Sequence, residues 1–196
     1  MESLMELSKR FNQALAYAAE LHAEQPRKGT TIPYISHPLA VAAIVLEHGG
    51  DEDEAIAALL HDAIEDAGGD SVRREIRARF GDAVEEIVEG CTDSDVTPKP
   101  PWRERNEAYI EHAKDASRSV LLVSASDKLH NGRAILSDYR SLGESLWGRF
   151  NGGKEGTLWY YRSLVTVFRN HPLANRPLVD ELDRVVTETE RLAGLA

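Results

Sequence analysis

The chain has 196 residues, 42% of them hydrophobic and 29% charged, and a net charge of −10. This composition suits a soluble globular domain with a sizeable core. The acidic balance argues against a surface that coats nucleic acid, which needs a basic face, and the longest apolar run, Leu39–Leu46, is far too short to span a bilayer. Cys91 is the only cysteine, so no internal disulfide can form and a reducing compartment is expected. The first ten residues, MESLMELSKR, contain no apolar leader segment, which makes a cytoplasmic location the default expectation.

In chain order, residues 3–24 read as an amphipathic helix with Leu4, Leu7, Phe11, Leu15, Ala18 and Leu21 or His22 along one side. A polar loop follows, QPRKGTTIPYISHP. Pro38 suits the first position of the next helix, which would leave His37 at the cap, and Gly49-Gly50 would stop that helix. Asp51 with Glu54 three residues on forms a capping-box signal for a helix running to Gly68-Gly69, and Asp82 with Glu85 repeats the signal for a helix ending near Gly90. The stretch DSDVTPKPP, residues 93–101, holds three prolines and reads as a loop. Further helices are expected at about 103–115, 118–139, 156–169 and 177–193, with RFNGGKEG as a flexible or ligand-facing connection. Strand-like alternation is almost absent and no stretch is linker-like, so the expectation is a single all-α domain over residues 1–196.

The stretch LLHDAIEDAGGD, residues 59–70, places His61, Asp62, Glu65 and Asp66 at the end of an otherwise apolar helix. Residues four apart share a helix face, so His61 lies under Glu65 and Asp62 under Asp66. The pair His61-Asp62 can converge on one metal ion, with Glu65 and Asp66 beside the ion rather than on it. Acidic residues near a helix C-terminus are disfavoured by the helix dipole, which makes surface decoration a poor explanation for them. Further ligands must come from elsewhere, and His37 is one candidate. Asp127 and Asn131, four apart in VSASDKLHNGRAIL, interrupt the apolar stripe of Val120, Ser124, Ala134 and Ile135 and need partners there. His22, His48, His112 and His171 read as ordinary histidines, His130 as a packed or hydrogen-bonded core residue, Cys91 as a small buried residue, and Trp102, Trp147 and Trp159 as packing anchors.

The order H…HD…D resembles the HD superfamily of metal-dependent phosphohydrolases. The finer pattern is similar to the hydrolase domain of RelA/SpoT-type alarmone enzymes and the free-standing small alarmone hydrolases. RKGTTIPYISHP is similar to the family's RKG-x-PY-x-HP segment, ALLHDAIEDAGGD to its LLHD-x-x-ED block, IRARFGDAVEEIVEGCTD to the helix after that block, and SDKLHNGRAIL to its D-R-L-H-N-x-R segment. The resemblance covers about residues 8–140. It implies a compact helical HD bundle, metal ligands at His37, His61, Asp62 and Asp127, and Glu65 and Asp66 positioning or activating the attacking water. It further implies nucleotide contacts from Arg27, Lys28 and Asn131. The implied reaction is Mn²⁺-dependent removal of pyrophosphate from the 3′ position of guanosine tetra- or pentaphosphate. Lys128, Gly132 and Ala67 depart from the family's usual Arg, larger apolar residue and Thr, and the segment from Trp147 on does not align.

Two imidazoles and two carboxylates make a mixed N/O site that suits Mn²⁺ or Fe²⁺ better than a closed structural Zn²⁺, although Zn²⁺ or another divalent ion stays open. A polyanionic nucleotide on an acidic protein needs local cations. Arg27 and Lys28 are the first candidates; Lys99, Arg103, Arg105 and Lys154, with Tyr160 or Tyr161, are further ones, of which Lys154 and Tyr161 are preferred for substrate binding. Rival substrates are adenosine alarmones, NADPH, nucleoside monophosphates and cyclic nucleotides; the rival class is a nucleotide-binding regulator without turnover. The expected partner is a small nucleotide, with no nucleic acid and no membrane, and homo-oligomer formation is left open.

Overall fold

The computed structural model describes residues 6–93 and 98–195, and among them leaves out the side chains of Asp66 and Ala67. The described residues are all-α: ten α-helices and one 3-10 helix, with a lone antiparallel bridge between Pro26 and Pro33 and no strand. They fall into two compact units, residues 1–95 and 96–196, with the boundary inside the proline-rich loop. No helix among the described residues is long and apolar enough to cross a membrane.

The first unit is organised around α3 (Glu52–Leu60), against which α1 (Lys9–Leu21), α2 (Ser36–Glu47) and α6 (Asp82–Cys91) all pack. Every residue of α3 from Glu54 to Leu60 is buried. The expected capping box starts it: the Asp51 carboxylate accepts from the Glu54 amide at 2.9 Å, and the Glu54 carboxylate accepts from the Asp51 amide at 2.9 Å. The helix does not run to the glycines, however. It ends at Leu60; His61 and Asp62 form a turn, and a short α4 (Ala63–Ala67) follows. Gly68 and Gly69, at φ 141° and 54°, then reverse the chain in conformations that side-chain-bearing residues rarely adopt.

Five further details differ from the sequence expectation. The α1 helix begins at Lys9, capped by Ser8, whose hydroxyl accepts from the Arg10 amide at 3.1 Å, so Leu7 precedes the helix and is exposed, while the start expected at residue 3 lies outside the described residues. In α2, Ser36 rather than Pro38 opens the helix; Pro38 is tolerated because the first turn's amides have no helical partners, and His37 sits inside that turn. A helix the sequence reading did not separate, α5 (Asp70–Phe80), buries Val72, Ile76 and Phe80 at four-residue spacing. Its Arg77 bonds Glu85 at 2.8 Å and pairs with Asp82 at 3.0 Å, so this expected capping pair instead ties α6 to α5 and Gly81 takes the cap. Cys91 is partly exposed rather than buried.

The second unit is built on the 25-residue α8 (Arg118–Leu142), packed against α9 (Gly153–Asn170) and α10 (Arg176–Leu192), with α7 (Trp102–His112) on α9. The connection expected to be flexible or ligand-facing, residues 149–156, is a short turn after a 3-10 helix, Gly143–Arg149, and then the first turn of α9. It is ordered by Trp147, buried with Leu146, Leu158 and Ile135, so Trp147 is a packing anchor as expected. Gly152 belongs there because the Trp102 ring occupies the position of a β-carbon, 2.6 Å away.

Because α3 carries the site residues on its far end, loss of its cap should be felt as stability. Asp51→Ala is expected to lower unfolding free energy by about 1 kcal/mol, read as a shifted urea midpoint at unchanged slope.

Candidate active site

In the first unit, three of the expected metal ligands converge. His37 from the first turn of α2 and His61 from the end of α3 are 1% and 3% exposed. Their rings meet edge to face with centroids 5.0 Å apart. Asp62 Oδ2 lies 3.1 Å from His61 Nε2 and 3.6 Å from His37 Nε2. Two imidazole nitrogens and one carboxylate oxygen therefore surround one point.

The His61 ring is oriented by its other nitrogen. Nδ1 lies 2.8 Å from the Ala58 carbonyl oxygen, which can only accept, so Nδ1 carries the proton. In the neutral ring this leaves the Nε2 lone pair facing His37 and Asp62. Metal-ligating histidines are held in this way, with the second ring nitrogen donating to a carbonyl or carboxylate. His61 and Asp62 join α3 to α4 with right-handed backbone angles, φ −58° and −95°, and both side chains reach the same place. The donor set fits a divalent ion that accepts nitrogen and oxygen ligands.

The Asp62 carboxylate is also held from outside. Tyr34 Oη donates to Oδ2 at 2.5 Å. Tyr34 closes the polar loop, where its amide donates to the Gln25 carbonyl at 2.7 Å and the Arg27 amide donates to the Ile32 carbonyl at 2.8 Å. The loop is therefore a short clipped hairpin that carries Arg27 and Lys28, and the Arg27 guanidinium sits 5.8 Å from the Tyr34 ring centre. Glu65 lies in α4, half-buried, one turn beyond Asp62; the Asp66 side chain falls outside the described residues.

In the second unit, Asp127 is buried in α8 with both oxygens engaged: Asn131 donates to Oδ1 at 2.5 Å and Lys128 to Oδ2 at 2.7 Å. Burial works against the Lys128 ammonium, but Asp127 beside it overcomes this and holds its pKa well above the ordinary lysine value. Its charge also faces the Tyr109 and Tyr160 rings, at 4.8 and 5.9 Å. Lys154 pairs with Glu144 at 2.8 Å, and Tyr161 packs against the Trp147 cluster beside Gly132. Arg103 lies over the Trp159 ring at 3.2 Å. Tyr34 and His22 were not singled out in the sequence. Only the PY dipeptide hinted at Tyr34, and nothing in the linear pattern marks His22, which is buried against it.

The HD domain family model matches residues 14–156, and the chain belongs to that family. A Xenopus tropicalis protein named guanosine-3′,5′-bis(diphosphate) 3′-pyrophosphohydrolase MESH1 is 44% identical over 126 residues, covering 63% of this chain and 68% of that protein. A protein of Aquifex aeolicus named guanosine-3′,5′-bis(diphosphate) 3′-pyrophosphohydrolase is 38% identical over 128 residues, 65% of this chain but only 18% of that longer protein. Among solved structures, one described as a metazoan ortholog of SpoT that hydrolyzes ppGpp superposes with a TM-score of 0.79 at 27% identity, covering 98% of this chain and 99% of that one.

A site of this kind should show its ion as ligand-linked stability. Adding Mn²⁺ to chelator-treated protein is expected to raise the thermal unfolding midpoint, by about 2.7 kcal/mol of stability at a hundredfold excess over Kd. His61→Ala and Asp62→Ala are expected to shrink the rise severalfold, as scanning calorimetry would show.

Proposed function

We propose that this chain is an alarmone hydrolase that removes pyrophosphate from the 3′ position of guanosine tetra- or pentaphosphate. The observation that carries the reading is the convergence of His37, His61 and Asp62, with His61 Nδ1 tied to the Ala58 carbonyl. The identity to proteins named for that reaction supports the substrate class. Mn²⁺ is the proposed ion, on the chemistry of the mixed N/O donor set. Asp127 is proposed as a fourth ligand on motif order alone. A bound divalent ion supplies Lewis acidity towards phosphoryl oxygens and lowers the pKa of water.

The chain's own residues would supply the rest. Glu65 and Asp66 are proposed to orient the attacking water and accept its proton, a role typically worth on the order of 10² to 10⁴ in rate. Arg27 and Lys28 would bring positive charge to the nucleotide on the clipped loop, with Asn131 as a further contact. Lys154 could meet a phosphate only by leaving Glu144, and Tyr161 could meet the nucleotide only by leaving its packed position. The reading treats residues 1–196 as one working hydrolase domain in the cytoplasm, since the motif order H, HD, ED and D runs through both units.

The test is product analysis. With Mn²⁺, guanosine 3′-pyrophosphate nucleotides are expected to yield pyrophosphate and the 5′-nucleotide, resolved by ion-exchange chromatography, with adenosine alarmones and NADPH assayed in parallel. Glu65→Gln is expected to lower kcat by about 10² or more with nucleotide affinity retained. Cleavage of NADPH or simple phosphomonoesters alone would move the assignment to another HD phosphohydrolase substrate, and absence of any turnover with metal bound would leave a nucleotide-binding regulator.

A further inference from the structure

An ionised carboxylate accepts hydrogen bonds and donates none, and its terminal torsion is broad and two-fold. A monodentate aspartate ligand therefore needs an outside donor to fix which oxygen faces the ion. In the first unit that donor for Asp62 is Tyr34, whose phenol oxygen lies 2.5 Å from Oδ2, the same oxygen that approaches both imidazoles. We propose that Tyr34 is a positioning residue that sets Asp62 for metal binding, and that His22 acts one step further out by holding the Tyr34 ring.

Tyr34 is anchored on several sides. Its amide bonds the Gln25 carbonyl at 2.7 Å and its own carbonyl accepts from the His37 amide at 2.8 Å. The His22 ring lies against it, centroids 4.8 Å apart and tilted by 42°, and the His37 ring meets it edge on at 5.8 Å. His22 is 2% exposed; its Nδ1 is tied to Gln25 Oε1 at 2.7 Å, while its Nε2 is buried with no hydrogen-bond partner among the described residues. A buried imidazole nitrogen left unsatisfied costs stability, on the order of 1–3 kcal/mol. The ring touches both Gln25, whose carbonyl clips Tyr34, and the face of Tyr34 itself. Arg27, on the same clipped loop and 5.8 Å from the Tyr34 ring centre, shares this support. The residue that sets the metal ligand therefore also shapes the loop proposed to meet the nucleotide. A phenylalanine at 34 would keep the ring and remove the hydroxyl that donates to Asp62.

This inference rests on the reading of Asp62 as a ligand, and the experiment separates the two. Mn²⁺ binding to the full chain, without nucleotide, would be followed by the electron paramagnetic resonance of free Mn²⁺ for the wild type, Tyr34→Phe, His22→Leu, Asp62→Ala and the Tyr34→Phe/Asp62→Ala pair. Metal-free unfolding would be recorded for each. Tyr34→Phe is expected to weaken Mn²⁺ binding about 10- to 100-fold, the usual effect of removing an outer partner of a ligand. His22→Leu is expected to weaken it in the same direction, less strongly. In the Asp62→Ala background, Tyr34→Phe is expected to change nothing further, because its route to the metal is gone. Wild-type affinity in Tyr34→Phe with loss in Asp62→Ala would overturn the positioning role and leave the metal reading standing. Wild-type affinity in Asp62→Ala would overturn both. An equal loss from Tyr34→Phe in both backgrounds would mark a general structural effect and overturn the proposal, and an unchanged His22→Leu would remove His22 from it.

Discussion

The first unit depends on one electrostatic constraint: two imidazoles and a carboxylate meet where α3, the most completely buried helix, comes to an end. Polar groups in such a place are tolerated only when each is bonded, and a carboxylate beside lone-pair nitrogens calls for a cation. The local structure follows from this demand. His61 and Asp62 lie at the junction of α3 and α4, and both side chains reach one point. The ring proton of His61 then satisfies the Ala58 carbonyl, one of those a helix C-terminus leaves without an intrahelical partner.

The surrounding elements are arranged for rigidity at this point. The capping box fixes where α3 begins, so its length to Leu60 fixes where His61 emerges. The glycine pair after α4 turns the chain into α5, which the Arg77–Glu85 and Arg77–Asp82 contacts fasten to α6, itself packed on α3. On the other side, the clipped hairpin from Gln25 to Tyr34 delivers the first turn of α2, and with it His37. The side chains that meet at the site thus arrive on α2 and α3, which pack directly on each other.

Much of this was legible in the sequence because its causes are local. Asp51 with Glu54 satisfies amides three residues away, and Gly68-Gly69 supplies backbone conformations other residues avoid, so both act as written. His37, His61 and Asp62 were legible through their motif. What could not be read depended on distant partners. Asp82 and Glu85 look like a second capping box until Arg77 is found to claim both. The break after Leu60 is invisible in an apolar run that favours helix throughout. His22 looked ordinary because its significance lies in Tyr34, twelve residues on, and that of Tyr34 in Asp62, a further 28 residues on.

Each unit holds one buried or half-buried aspartate of the family motif, and the two are supported by opposite means. Asp127 receives an amide and an ammonium, and that ammonium is in turn faced by Tyr109 and Tyr160, with Tyr109 fixed by its hydroxyl to Ser124 at 2.9 Å. In the proposed role as a fourth ligand, Asp127 would exchange the Lys128 ammonium for the ion. Asp62 receives a neutral phenol, which orients the carboxylate without cancelling its charge. A carboxylate next to two imidazoles must keep that charge to attract a divalent ion, and an ammonium in Tyr34's place would compete with the ion for the same oxygen. Tyrosine is a neutral donor that gives direction without competition, which is a physical reason for its presence between the clipped loop and the histidine pair.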